Sequence, residues 1–390
     1  MDLDELFTRG VAEVIVEAEL REKLASGRKL RFKQGFDPSR PDMHIGNAVG
    51  LRKLRRFQEL GHEVVLIVGD WTARIGDPSG KDETRPRLSA EVVAANARSY
   101  MEQFFRVVDR ERTEVRWQSE WYGEFNLEDA FNLAGRFTLA QMLAHETFRK
   151  RHEAGDALSI LELMYPMLQG YDSVAIKSDV EFGGTDQKFN NLAGRDLMAS
   201  MGMEPQQVFL VPLIPGTDGR KMGKSLNNSI DITMSPADMY GKVMSMSDAV
   251  LPLYFEVLTD VPMDEIRAMR EAMAQGAANP RDLKMRLANL IVGEFHDEEA
   301  ARAAEAEFRK VFQQRELPTD IPEHHIPAPA NIVEVLFAAG LAPSKSEARR
   351  LIDGGGVRLN GEKVPGVDTV VTPGGDQILQ VGKRKFVKIV

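Results

Sequence analysis

Residues 30–70 read "LRFKQGFDPSRPDMHIGNAVGLRKLRRFQELGHEVVLIVGD", and this stretch decides the fold. Its opening residues, 30–36, have strand character, and the Gly, Asp and Pro that follow force a sharp bend. Apolar residues then recur at Ile45, Val49, Leu54, Phe57 and Leu60. That is a helical spacing over 45–60, and it stops at Gly61. A second apolar run within "EVVLIVGD" gives a strand at 64–70. Strand, helix and strand at these lengths make a βαβ unit, so the sheet is parallel and the fold is α/β. His44 and Asn47 fall in the first turn of the helix, three apart on one face. A helix N-terminus beside a strand end suits an anion.

The same reading extends outward. Further strand candidates are "TEVRW" at 113–117, "SVAIK" at 173–177 and "QVFLVPLI" at 207–214, with "AIKSDVEF" also strand-like. Helical patterns lie at 89–108 and 186–201, and from about 235 to 315 the pattern is helical throughout. "LPTDIPEHHIPAPAN" then places four prolines within 12 residues, which reads as a linker and not a packed element. The last 60 residues read as a separate small α+β module. In open α/β sheets ligands bind beyond the carboxyl ends of the strands. The unusual residues collect there: Gly35, Asp37, Asp70, "GDPSGK" at 76–81, "GGTDQ" at 183–187 and "PGTDGRKMGKS" at 215–225.

Composition narrows the function classes. The 390 residues are 43% hydrophobic and 28% charged, ordinary for a globular protein. With no cysteine, disulfides, thiolate metal sites and cysteine nucleophiles are excluded. No apolar run is long enough to span a bilayer, and "MDLDELFTRG" lacks a signal-peptide pattern, so a cytoplasmic location is expected. The net charge is -9, but residues 331–390 carry nine Lys or Arg against six Asp or Glu. A mildly basic tail on an acidic body is compatible with a local contact to nucleic acid. The histidines at 152, 296, 324 and 325 show no metal-ligand spacing and read as surface residues, and no G-x-S-x-G or H-E-x-x-H is present.

Three motifs carry chemistry. "KMGKS", Lys221 to Ser225, is a basic, glycine-containing loop suited to phosphate. It is not a Walker loop, because Asp218 stands where that pattern needs glycine. The glycines of "GGTDQ" permit close approach to a flat ligand, and Asp186 suits either ribose hydroxyls or the cap of the following helix. "YPMLQGYD" puts Tyr165, Gln169 and Asp172 at i, i+4 and i+7 of a helix, three polar groups on one face for a small zwitterion or a phenol.

Together these stretches resemble a known family. "HIGN" resembles the HIGH motif of class I aminoacyl-tRNA synthetases, and "KMGKS", 177 residues later, resembles their KMSKS loop. "GFDPSRPDMHIG", "IGDPSGK", "YPMLQGYDS" and "GGTDQKFN" resemble the bacterial tyrosyl-tRNA synthetases, over essentially the whole chain. "SKSEARRLIDGGGVRLNGEKV" is similar to the RNA-binding module shared with an S-four type ribosomal protein. The resemblance implies a Rossmann-like catalytic domain at 1–230, a helical domain on the anticodon side at 231–316, a Pro-rich linker at 317–330 and an RNA-binding domain at 331–390. It implies ATP with Mg2+, L-tyrosine and tRNA(Tyr) as partners, and a homodimer whose interface lies around 120–170.

The resemblance also implies roles. His44, Asn47, Lys221 and Lys224, with Lys81 and Arg85, would act on the phosphates. Gly46, Gly183, Gly184, Asp186, Met222, Lys224 and Ser225 would hold ATP. Gly35, Asp37, Asp77, Tyr165, Gln169 and Gln187 would surround the amino acid, with Asp172 accepting from its phenol. Lys345, Arg349 and Arg350 would meet RNA, and no residue is assigned to a metal. Two departures stand out: Asn47 replaces a histidine, and Lys33 stands where part of the family has a tyrosine that reads the phenol. A tryptophan enzyme, or a synthetase-derived RNA-binding protein, is the alternative. Against the first, an indole brings no hydroxyl for Asp172; against the second, the phosphate and amino-acid motifs are all retained.

Overall fold

A computed structural model describes residues 3–79, 88–223, 226–311, 317, 321–374, 377–382 and 385–390. These fall into two compact units, Met1–Ala301 and Arg302–Val390.

The first unit is built on six strands: β1 (Glu13–Ile15), β2 (Arg31–Phe36), β3 (Glu63–Val68), β4 (Thr113–Trp117), β5 (Val180–Gly184) and β6 (Gln207–Val211). Their order is β1-β6-β5-β2-β3-β4. β2 to β6 are parallel, as the sequence pattern requires, and the short β1 adds an antiparallel edge that the pattern does not announce. The chain runs outward one way through β2, β3 and β4 and the other way through β5 and β6. The direction therefore switches between β2 and β5, where a crevice opens beyond the carboxyl ends.

The register shows how that crevice forms. β2 and β3 pair over six residues, from Arg31↔Glu63 to Phe36↔Val68. β2 and β5 pair only at Phe32↔Val180 and Lys33↔Glu181. Beyond that second pair the strands part, and Gly35 is exposed in the middle of an otherwise buried strand. Alternation along β2 sends Phe32 to one face and Lys33 and Gly35 to the other. On the first face Phe32 stacks on Phe57 of the helix Ile45–Glu59, with ring centroids 4.2 Å apart.

The opposite face carries the helix Ile160–Ile176, which overturns the strand expected at 173–177. Val174 and Ile176 favour strands locally, but here tertiary packing wins. The helix crosses its neighbour Lys188–Ser200 where two glycines meet: a Cβ on Gly170 would lie 3.1 Å from the Gly194 Cα. Lys177, at φ 53°, ends the helix, and the true strand begins at Val180.

Helices Pro236–Met244, Leu251–Leu258, Met263–Ala274 and Pro280–Phe295 continue the first unit. The expected boundary at 230 is thus not a break between compact units. Ser235 caps the first of these helices, accepting from the Asp238 amide at 3.2 Å. His296, expected at the surface, is half-buried, and its Nε2 lies 3.0 Å from the Met234 carbonyl.

In the second unit, helices Ile332–Ala338 and Lys345–Asp353 pack with a five-stranded sheet over Ile332, Leu336, Ala348, Ile352, Val357 and Leu379. "LNGE" turns the hairpin Val357–Leu359 to Glu362–Lys363, with Asn360 and Gly361 both at positive φ, 52° and 83°. The Pro-rich stretch is more than a linker. Glu323–His324 pairs in parallel with the last strand, Lys385–Ile389, and Ile326 is buried. Prolines punctuate an edge strand without forbidding it, because an edge leaves one row of backbone groups unpaired anyway.

Candidate active site at the switch point

The crevice between β2 and β5 collects polar side chains from five strand ends. At its floor Lys33 and Glu181, 0% and 1% exposed, form an ion pair at 3.0 Å. Lys33 Nζ also donates to the Gln169 carbonyl at 3.0 Å and to Ser173 Oγ at 2.8 Å. An ammonium has three protons, so none remains for a ligand. Lys33 therefore does not replace the phenol-reading tyrosine of other family members.

Asp172 is 2% exposed. Its carboxylate accepts from Gln118 Nε2 at 2.8 Å and from Trp121 Nε1 at 3.2 Å. Burial pushes its pKa up to about 7; the nearby Lys33 charge and the two donors oppose that rise, and Glu181 adds to it. Gln118 is held in turn, its Oε1 accepting from the Thr72 amide at 2.9 Å. The Thr72 hydroxyl donates to Asp37 at 2.6 Å, and Asp37 accepts from the Tyr165 hydroxyl at 2.9 Å. Burial, together with Asp37, raises the Tyr165 phenol well above its usual range, so it stays protonated. Gly69 makes room for this chain: a Cβ there would sit 2.2 Å from an Asp37 oxygen. Tyr165, Asp37 and Asp172, singled out from sequence, are thus joined by Thr72 and Gln118, which were not. Gln118 and Trp121 follow the end of β4, and only their place at a strand end could have marked them.

A second group lies beside the first. Gln187 Nε2 donates to Asp77 at 2.8 Å, and Asn190 Nδ2 donates to Gln187 Oε1 at 3.0 Å. Gly183 and Gly184 leave no room for side chains: added Cβ atoms would meet the Gln187 Cβ and an Asp186 oxygen at 2.8 and 2.7 Å. The surrounding protein raises the Asp186 carboxyl above its usual range; Asp77 adds to this and Lys221 opposes it. Asp186 is exposed at the lip of the crevice and does not cap the helix that follows.

The residues that the sequence suggests for phosphate differ in one detail from that expectation. His44 is the N-cap of its helix rather than part of the first turn. Asn47 Oδ1 accepts from the His44 amide at 3.2 Å, which leaves the Asn47 amide nitrogen as its free donor group. Gly46 follows His44 so closely that a Cβ would lie 2.9 Å from the ring. The segment after the basic loop is laced to this cap: Ile45 N donates to the Ile230 carbonyl, and Ile232 N to the Met43 carbonyl, both at 2.9 Å. Within the loop the buried Asn228 accepts from the Gly223 amide at 2.8 Å and donates to the Lys221 carbonyl at 3.1 Å. Lys221 is exposed and Met222 half-buried. Lys81, Arg85, Lys224 and Ser225 lie outside the described residues.

In the second unit Lys345, Arg349 and Arg350 are all exposed on one helix. Lys345 pairs with Glu334 and Arg350 with Glu347. Arg349 makes no ion pair among the described residues.

A parallel sheet with a switch-point crevice, a helix cap bearing "HIGN" and a basic loop laced to that cap define a class. Residues 25–313 match the family described as tRNA synthetases class I (W and Y), and the chain belongs to that family. Residues 313–389 match the C-terminal domain described as tyrosine–tRNA ligase SYY-like. The chain is 53% identical over 391 residues to a tyrosine–tRNA ligase of Dehalococcoides mccartyi (strain CBDB1), covering 100% of this chain and 98% of that one. It is 50% identical over 390 residues to the tyrosine–tRNA ligase of Moorella thermoacetica, covering 98% and 94%. A C-terminally truncated mitochondrial tyrosyl-tRNA synthetase of Aspergillus nidulans shares the fold, with a TM-score of 0.65 at 22% identity over 79% of this chain and 93% of that one.

Proposed function

We propose that this protein is a tyrosine–tRNA ligase. It joins L-tyrosine to ATP as tyrosyl-adenylate with release of pyrophosphate, then transfers the tyrosyl group to the 3′ end of tRNA(Tyr). The tyrosine carboxylate attacks the α-phosphorus, the bond to the pyrophosphate oxygen breaks, and charge moves onto the leaving group. Such a step asks for positioning and electrostatic stabilisation more than for proton transfer. His44, Asn47 and Lys221, with Lys224, Lys81 and Arg85, meet the phosphates. Gly46, Gly183, Gly184, Met222 and Ser225 line the nucleotide, and Asp186 takes the ribose. Asp77, Tyr165 and Gln169 take the ammonium, Gln187 lies by the carboxylate, and Gly35 and Asp37 line the pocket. Asp172 accepts from the phenol. Mg2+ enters with ATP as counter-ion of its phosphates.

The observation that carries this reading is the doubly bonded, buried Asp172. An indole N–H also donates, so Asp172 alone does not separate tyrosine from tryptophan, whatever the absent hydroxyl suggests. The identity to tyrosine–tRNA ligases over full length favours tyrosine. The test is ATP–pyrophosphate exchange with tyrosine, tryptophan, phenylalanine and no amino acid. Exchange with tyrosine alone is expected; exchange with tryptophan overturns the substrate, and exchange with none overturns the catalytic reading.

The partners follow from the same reading. Lys345, Arg349 and Arg350 lie on the face that meets tRNA. A homodimer is favoured by Leu127, Phe131, Leu139 and Ile160, which are 68%, 65%, 62% and 76% exposed within the stretch 120–170. Phe131→Glu with Ile160→Glu is expected to halve the mass seen by light scattering. A cytoplasmic location suits a translation enzyme, and among the described residues no helix is long and apolar enough to cross a membrane.

A further inference from the structure

The pair Lys33–Glu181 is fully buried at the floor of the crevice. It is the last register pair between β2 and β5 before the strands part. Every hydrogen-bonding position of both groups is used. Lys33 donates to Gln169 O, Ser173 Oγ and Glu181 Oε1. Glu181 Oε1 also accepts from Gln169 Nε2 at 3.1 Å, while its Oε2 accepts from Ser173 Oγ at 3.2 Å and from Gln206 Nε2. Burying two charges costs desolvation, and apolar residues of similar volume often stabilise such a site as well or better. The pair therefore calls for an explanation beyond stability.

The bonds supply one. A carboxylate accepts and does not donate, so Glu181 favours the Gln169 amide with its nitrogen toward the floor, where the Asn191 side-chain amide also lies 3.0 Å away. The side-chain Oε1 of Gln169 is then left on the opposite side of the amide, as an acceptor for an ammonium. Lys33 grips the same helix at 169 and 173, the two positions that bracket Asp172. We propose that Lys33 and Glu181 are positioning residues for tyrosine: Glu181 orients the Gln169 amide toward the ammonium, and Lys33 holds the turn bearing Asp172. This deepens the tyrosine reading of the site and rests on it.

The charged and titratable groups facing Asp172 are Lys33 on β2, Glu181 on β5, Tyr165 on its own helix and Tyr122 after β4. Among these only Lys33 favours the carboxylate by charge. Without it, the acid limb of tyrosine binding moves to higher pH.

The test compares the full-length protein with Glu181→Gln, Lys33→Met and the double variant Lys33→Met/Glu181→Gln, using tyrosine-dependent exchange from pH 6 to 9. Glu181→Gln keeps the shape but removes the charge that selects one orientation of the Gln169 amide. It is expected to raise the tyrosine KM roughly ten- to hundredfold, with the ATP KM and kcat changed much less. Lys33→Met and the double variant are expected to move the acid limb upward as well. Thermal melts identify a variant that has simply unfolded, and the double variant, which leaves no lone buried charge, keeps the test open if Lys33→Met fails to fold. Folded variants with the wild-type tyrosine KM and pH profile would overturn the proposal. A wild-type protein without tyrosine-dependent exchange would instead overturn the substrate reading.

Discussion

The two halves of the crevice are built in opposite ways. On the amino-acid side Tyr165, Asp37, Thr72, Gln118 and Asp172 form one continuous run of hydrogen bonds among half-buried and buried groups. On the side proposed for the phosphates Lys221 is exposed, and the loop that bears it is held by Asn228. The difference fits what each half would meet under the proposed function. A small amino acid is told from its neighbours by one hydroxyl, and a buried site discriminates only if its acceptors are fixed beforehand. A triphosphate carries enough charge to be met by exposed cations, and its charge moves during the reaction. One half recognises by shape, the other follows the charge.

The largest test of this division is Lys221→Ala. It is expected to lower the exchange kcat about 100- to 1,000-fold, the scale of losing one donor to developing charge. The tyrosine KM should stay put, and a comparable rise in it would show that the halves are not separable. Asp172→Asn comes next. It is expected to cost about 100-fold in kcat/KM for tyrosine, as a buried acceptor becomes part donor. The ATP KM should barely move, which steady-state exchange at varied ATP reads directly.

The third test is pH. Asp172 ionises at about 7, so kcat/KM for tyrosine is expected to rise as pH climbs to that value and level off above it. The ATP KM should lack that inflection; sharing it would couple the two halves. Stability runs the other way. In the unfolded chain Asp172 ionises at about 4. Because its folded value is raised, this contribution to stability is full below that pH, shrinks as pH rises toward 7 and stays lost above it. The smallest effect is expected from Arg349→Ala in the second unit. Exchange should not change, while the salt slope of tRNA binding, measured by filter retention, should fall by about 1.

What the sequence made legible has a pattern. The βαβ unit, the strand Thr113–Trp117 and the Asn360–Gly361 hairpin could be read because local spacing and turn chemistry point the same way as the fold. Residues 173–177 misled because Val174 and Ile176 look like strand, and only the helix crossing at Gly170 settles them as helix. The edge strand Glu323–His324 hid behind prolines that read as a linker. Of the site, the residues inside motifs were legible. Gln118, Thr72, Asn228 and the partnership of Lys33 with Glu181 were not, because each depends on a register or a loop closure that no single stretch records.

The crossing of Gly170 and Gly194 has a consequence for how such an enzyme adapts to climate. One of the two helices carries Gln169 and Asp172, and the other begins just after Asp186 and Gln187. With backbone against backbone there is no side chain to trim or enlarge, so the spacing between the two helices behaves as a fixed gauge. Surface charge, loop length and helix composition are free to drift between a hot spring and cold sediment. A methyl group at Gly170 would instead press on the Gly194 backbone and widen the gauge itself, and one at Gly194 would first strike the Gln206 side chain. Lineages that differ in growth temperature should therefore differ almost everywhere before they differ there.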